Sequence, residues 1–206
     1  MGFELLNEST NCFEIAVGTS VLEFKEYEAE GTPFYHFAFN VPGNLFIEAK
    51  KWIMQLVFLN NDEEGNDEVH FESAKAYSCY FEDPSGNIVE LISRYGSSPQ
   101  TKLTSSFSAK NLLNISEINI TTDDTLTVGN ELQKHGIVLT EEPLNPNALN
   151  FLGKREEGAF LLLGPTKRQW YFSTKEAESY PLEIILEDGR FIQVNKQGIV
   201  LSGFKY

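Results

Sequence analysis

The chain has 206 residues, 41% of them hydrophobic and 13% aromatic, which suits one or two compact domains with a real core and excludes a disordered chain. Its formal net charge of −14, with no basic patch interleaved with aromatics, argues against nucleic acid or an anionic membrane as the main partner. Two cysteines, Cys12 and Cys79, form neither a disulfide framework nor a Cys-x-x-Cys motif, so a reducing, cytoplasmic setting is expected. The first thirty residues lack a basic start followed by an apolar run, and apolar stretches such as Trp52 to Leu59 fall far short of a membrane span.

Alternation of apolar and polar residues predicts three short strands at Phe3 to Leu6, Cys12 to Val17 and Val21 to Phe24, the last two joined by a Gly18-Thr19-Ser20 turn. Gly31-Thr32-Pro33 breaks the pattern, and Phe34 to Val41 reads as an aromatic-rich strand. Phe46, Ala49, Ile53, Leu56 and Val57 then recur at helical spacing within Leu45 to Phe58. After an acidic loop at Asn60 to Asp67 and a short strand at Val69 to Ser73, a hairpin of Ala76 to Phe81 and Ile88 to Ser93 closes around Asp83-Pro84-Ser85-Gly86. The composition shifts to Ser, Thr, Pro and Gln from Gly96 to Lys110, a linker or long loop. Ile115 to Thr121 reads as a strand and Thr125 to His135 as an amphipathic helix capped by Gly136. Strands are predicted at Ala148 to Leu152, Ala159 to Gly164 and Gln169 to Ser173, with two or three more between Leu182 and Phe204, turning at Asp188-Gly189 and Gln197-Gly198.

The order βββ, βαβββ, βαβββ and a β tail is an internal repeat. Placing Glu23 on Glu90 registers the first two hairpins without gaps, with Val21 on Ile88 and Phe13 on Tyr80. Placing Glu90 on Tyr171 puts Asp83-Pro84 on Gly164-Pro165, and His36-Phe37-Ala38-Phe39 falls on Glu117-Ile118-Asn119-Ile120. A His opening a module's first strand, then a helix, then Phe81-x-Asp83-Pro84-x-Gly86-Asn87-x-x-Glu90-Leu91 resembles the vicinal oxygen chelate superfamily of glyoxalase I, bleomycin-resistance proteins, fosfomycin-resistance enzymes and extradiol dioxygenases. The resemblance covers residues 1–94 strongly and 112–173 more weakly.

The resemblance implies an α+β fold in which repeated βαβββ modules form curved mixed sheets around a cavity, with a divalent metal (Zn, Ni, Mn or Fe) held by residues on first and last strands. Carried over, those positions are His36 and Glu90, with Glu23 as the last-strand position of the preceding module. Met1-Gly2-Phe3-Glu4-Leu5-Leu6 resembles the segment just after that module's helix, so the first module lacks its initial strand and helix, and an upstream extension of roughly 25 residues is expected. The implied domains are a glyoxalase-like domain at 1–95, a linker at 96–110, a third, degenerate module at 111–175 and a β-rich tail at 176–206.

Imidazole nitrogen and carboxylate oxygen suit a hard or borderline divalent ion, which would stabilise enolate-like charge as a Lewis acid, with Glu90 as the catalytic candidate. Strand parity puts Ile88 and Ile92 on Glu90's face and Ala38 and Asn40 on His36's face. Each residue also has a plain alternative. His36 between aromatics can be a structural core residue, Glu90 can face solvent from an edge, and Glu23, with charges following closely, suits a solvated face. Glu117 could bind metal, whereas Tyr171 would be an unusual ligand, so the third module reads as a copy kept for packing. His70 and His135 read as surface residues, and Tyr77 and Cys79 as core or cavity lining. Three functions follow: a metal-dependent lyase, isomerase or ring-cleaving dioxygenase acting on a small oxygen-rich substrate; a metal-free sequestering protein like the bleomycin-resistance type; or a vestigial scaffold. A homodimer is compatible with each, since an incomplete first module leaves a strand edge and an apolar face uncovered.

Overall fold

A computed structural model describes residues 1–26, 31–195 and 200–204. The turn expected at Gln197-Gly198 lies outside the described residues. The fold is α+β, with two α-helices among the described residues and mixed and antiparallel sheets. It divides into two compact units, Met1–Glu117 and Ile118–Tyr206. No helix among the described residues is long and apolar enough to cross a membrane.

The first unit opens with an antiparallel sheet of β1 (Glu4–Glu8), β2 (Cys12–Val17) and β3 (Ser20–Lys25), in that order. Phe13, Ile15 and Val17 pair with Phe24, Leu22 and Ser20, which places these six side chains on one face. Aromatic contacts carry that face to the next strand: Phe24 meets Phe37 at 6.2 Å between ring centroids, and Phe3 meets Phe39 at 5.5 Å. The β2–β3 turn sits against residues 112–113. A side chain at Gly18 (φ +56°) would lie 2.0 Å from the Leu113 carbonyl oxygen, so only glycine fits there. All five residues of β1, at the sheet's edge, are exposed.

A second, mixed sheet follows. β4 (His36–Val41) leads into α1 (Phe46–Ile53), then β5 (Val69–Phe71), β6 (Ala76–Glu82) and β7 (Ile88–Arg94). The strand order is β5-β6-β7-β4, with β4 and β7 parallel and the other pairs antiparallel. Parallel neighbours need a crossover, and α1 supplies it. Every residue of β4 and β7 is buried, the polar His36, Asn40, Glu90, Ser93 and Arg94 among them, as befits central strands. Helix α1 turns Phe46, Ala49 and Ile53 inward. It is shorter than the sequence periodicity suggests: after Ile53 the backbone tightens into i→i+3 bonds (Gln55 N to Trp52 O, Leu56 N to Ile53 O), and Leu56 is exposed. The linker read from composition is irregular apart from a single 3₁₀ turn at Ala109–Asn111.

β8 (Ile115–Thr122) begins beside β4 and continues into the second unit. There α2 (Thr125–Lys134) starts at Asp124, whose side chain accepts from the Thr127 amide at 3.0 Å, and ends at Gly136 with φ +79°. β9 (Asn150–Leu152) and β10 (Phe160–Pro165) pair antiparallel, and β10 lies between β8 and β9. The strand expected over Gln169–Ser173 does not form. Only an isolated bridge, Gln169 to Glu176, remains, and Lys167 and Phe172 take positive φ values that break extended geometry. The tail folds as an antiparallel sheet of β11 (Leu182–Ile185), β12 (Arg190–Val194) and β13 (Val200–Phe204). Ile192 and Val194 enter one core with Val128 and Leu132 of α2 and Leu161 and Leu163 of β10. The tail therefore closes the unit's apolar face.

Candidate metal centre

The DPSGN turn sets the site. Asp83 Oδ1 accepts from the Ser85 and Asn87 amides, both at 2.9 Å, and Gly86 supplies φ +80°. Asn87 Nδ2 donates to Asp83 Oδ2 at 2.8 Å, while Asn87 Oδ1 accepts from the Tyr35 amide at 2.8 Å. The Ile88 amide donates to the Tyr35 carbonyl at 2.8 Å. These bonds pin the start of β4 to the start of β7, so His36 pairs with Ile88 and Ala38 with Glu90. With that register the two side chains share one face, two residues apart along neighbouring strands.

His36 and Glu90 are 4% and 3% exposed, and His36 Nε2 lies 3.5 Å from Glu90 Oε2. The other ring nitrogen, Nδ1, is 3.1 Å from the Ile88 carbonyl oxygen. A carbonyl can only accept, so Nδ1 donates its proton there, and Nε2 faces the Glu90 carboxyl. This is the arrangement a metal-ligating imidazole takes, its remote nitrogen fixed by a backbone oxygen.

Glu117, at the start of β8, completes the cluster. One donor atom from each of His36, Glu90 and Glu117 lies within 4.8 Å of the others, and all three residues are buried. Donors about 2.0–2.2 Å from a common ion stand about 3–4.3 Å apart, so the His36–Glu90 spacing already fits and small side-chain movements would bring in the third. The donor set of one nitrogen and two carboxylates suits a hard or borderline divalent ion. Arg94, 6% exposed and four residues beyond Glu90 on β7, donates through Nη2 to Glu117 Oε1 and through Nη1 to Ser116 Oγ at 2.5 Å.

Burial pushes the Glu90 carboxyl up to about 8. The Glu117 charge adds to the rise, while the neighbouring Ser78 hydroxyl, the Arg94 charge and the Tyr80 hydroxyl oppose it. Glu117 is also raised by burial, held back by Arg94. Ala38, Ala76 and Ile92, on the same face, form a small apolar cluster with Phe71 that keeps the surroundings dry.

The fold around this cluster has a close parallel among solved structures. A "putative dioxygenase" from Bacillus subtilis subsp. subtilis str. 168 is similar over 98% of this chain and 76% of its own, at 10% identity and a TM-score of 0.59. The chain has the vicinal oxygen chelate fold. The family of toxoflavin-degrading enzymes matches residues 115–168, about a quarter of the chain. The cppA protein of Streptococcus pneumoniae TIGR4 is similar over 98% of this chain and 86% of its own (14% identity, TM-score 0.40). Methylmalonyl-CoA epimerase from Mycobacterium tuberculosis is similar over 67% and 93% (15% identity, TM-score 0.40). No curated protein matches the chain.

Within the vicinal oxygen chelate fold, the residues read from sequence separate. His36 and Glu90 come together; Glu23 stands apart from their cluster. It sits exposed on β3, opposite Glu14, with Lys25 Nζ 3.0 Å from its carboxylate. The solvated-face alternative describes it. Glu117 takes the third place, and the signal for it was the repeat alignment that laid Glu117 on His36. Tyr171, laid on Glu90 by that alignment, is 55% exposed in the irregular segment after β10. Tyr77 stacks on Phe46 and Cys79 is fully buried opposite Leu91, both on the α1 side of the sheet. His70 is exposed, stacked on Tyr77, and His135 follows α2. Arg94 was not singled out from the sequence, although its parity with Glu90 in an apolar strand places it on the same face.

Proposed function

We propose that the protein is a divalent-metal-dependent enzyme of the vicinal oxygen chelate type, acting on a small oxygen-rich substrate as a lyase, isomerase or ring-cleaving dioxygenase. His36, Glu90 and Glu117 are the metal ligands of this reading. The single observation that carries it is the buried His–Glu–Glu cluster, with His36 Nδ1 tied to the Ile88 carbonyl and Nε2 turned toward Glu90. When bound, the ion would supply Lewis-acid stabilisation of enolate or catecholate charge. The chain's own contributions are geometric and electrostatic. β4 and β7 hold two ligands in a fixed register, the apolar cluster limits water, and Glu90 would hold the ion as a carboxylate, its proton released on binding.

Metal analysis of protein purified without chelator tests the reading. One equivalent of Zn, Ni, Mn or Fe is expected in the wild type, with loss in His36→Ala and Glu90→Gln, weakening in Glu117→Gln and no change in Glu23→Gln. A wild type with no bound metal and no thermal shift on adding any of the four ions would remove the enzyme reading. A second reading, metal-free sequestration of a small molecule, draws on the Arg94–Glu117 pair, which balances one buried carboxylate without an ion. A ligand that raises the melting temperature equally with and without chelator would support it.

A further inference from the structure

The outer face of α1 is apolar where solvent favours charge. Ile47 and Met54, two turns apart along one side of the helix, are both exposed. The turns after Ile53 then present Leu56, also exposed, and Phe58, which is 96% exposed. Singly exposed hydrophobes are ordinary, but four within residues 47–58 form a patch of the kind that marks an interaction surface. Ordered backbone holds the Phe58 ring out. On one side the Val57 amide donates to the Ile53 carbonyl at 3.0 Å, and on the other the Asn60 amide donates to the Tyr80 carbonyl at 2.8 Å.

An acidic loop borders this patch. Asp62 folds it on itself, its Oδ1 accepting from the Glu64 and Asn66 amides at 2.9 and 2.8 Å. At the far end Asp67 and Glu68 each accept from Lys50 Nζ at 2.6 Å, which ties the loop to α1 one turn before Met54. The Lys50 charge is spent there, while Glu63 and Glu64 stay exposed. We propose that this face docks a basic amphipathic helix of a partner protein. Its apolar side would lie on Ile47, Met54 and Phe58, and its Lys or Arg residues against Glu63 and Glu64. Exposed side chains two turns apart make the ridge along which a second helix packs, methionine adapts to the surface it meets, and an aromatic anchor supplies most of the binding energy. Charge selects the occupant. A second copy docked on the same patch would bring its own Glu63 and Glu64 to the interface, and an anionic lipid surface would meet like charge.

The test uses the full chain and a fluorescently labelled synthetic helix of about eighteen residues, built from Leu on one face and Lys on the other. A Leu–Glu helix of the same length is the control. By fluorescence anisotropy the Leu–Lys helix should bind the wild type, and the Leu–Glu helix should bind at least about tenfold more weakly. Affinity for the Leu–Lys helix should fall about tenfold in Phe58→Ser, which removes the anchor and changes no charge. It should fall about 3- to 10-fold in a chain carrying both Glu63→Gln and Glu64→Gln. Both variants alter exposed side chains, so an unchanged melting temperature is expected of each. Equal affinity for wild type and Phe58→Ser overturns the proposal, because an acidic chain attracting any polycation would behave that way. Failure of the Leu–Lys helix to bind, or equal binding of the Leu–Glu helix, overturns it too. Sedimentation of the protein alone checks the second copy: a dimer that Phe58→Ser dissociates would take the face away from a partner. Phosphatidylcholine vesicles that retain the wild type but not Phe58→Ser would overturn the proposal in favour of lipid.

Discussion

At the residue scale, Glu90 carries the sharpest consequence. An acid in the run Ile88-Val89-Glu90-Leu91-Ile92 is legible as an anomaly from sequence alone, because a hydrophobe would serve the core better. Its cost is now visible: burial raises the carboxyl from an ordinary 4.5 to about 8. The folded state then holds a proton that the unfolded chain releases, so stability is fully present below about pH 4.5 and declines as the pH rises toward 8. The melting temperature of chelator-treated protein should fall across that window, and Glu90→Gln should flatten the fall. A wild-type profile as flat as the variant's would contradict the burial argument. Metal binding should show the opposite trend, strengthening from pH 6 to about 8 as the competing proton leaves, measurable by calorimetry at fixed metal concentration. Sequence reasoning reached Glu90 and His36 because both break a local pattern. It set Glu23 beside them because parity and alignment say nothing of solvent; Glu23 lies on the exposed face of β3, beside Lys25. Arg94 escaped because a cation ending a strand is common, and only the register shows it reaching Glu117.

At the scale of elements, the Asp83-Pro84-Ser85-Gly86-Asn87 turn is the device that brings two distant residues together in the candidate metal centre. Its Asn87 side chain spans two segments, taking the Tyr35 amide and giving to Asp83. Asn87→Ala removes both bonds at a buried position and should cost about 1–3 kcal/mol by denaturant unfolding. It should also weaken metal binding, because His36 follows Tyr35 directly. Asp83→Ala, which frees two turn amides, should destabilise without reaching Tyr35 and so disturb metal affinity less. Equal metal affinity in both variants and the wild type would show that β4 and β7 hold their register without the turn. The motif was readable because turn chemistry is local. What it does for β4 was not, since that depends on a bond across fifty-two residues. The same limit explains the strand expected at Gln169–Ser173: its alternation is strand-like, yet Lys167 and Phe172 adopt positive φ and the segment turns instead. Helix α2 was legible at its C-terminus because a Gly stop is a local signal, and the structure adds the Asp124 cap at its start.

At the scale of the whole chain, the repeat predicted the order of elements as far as β10 but not beyond, and it left the tail without a role. The structure gives it one. Ile192, fully buried, and Val194 fill the core of the second unit against α2 and β10. No periodicity in Leu182 to Phe204 could reveal this, because which face a strand covers is a tertiary choice. The assignment separates fold from chemistry in a way that can be measured. All three candidate ligands and Arg94 fall within Met1–Glu117, whereas Ile192 falls in Ile118–Tyr206. Ile192→Ala leaves a cavity in the second core and should cost about 2–5 kcal/mol. Below its melting temperature the variant should still bind one equivalent of metal with near-wild-type affinity, since His36, Glu90 and the bonds of the DPSGN register lie outside that core, which reaches the candidate ligands only through β8 and Glu117. Glu117→Gln should do the reverse, lowering metal affinity with little change in the protection of amides in β12. Hydrogen exchange on the two variants reads both effects at once. If Ile192→Ala instead abolished metal binding at temperatures where the fold persists, the tail would be part of the site's support and not only of the second unit's core.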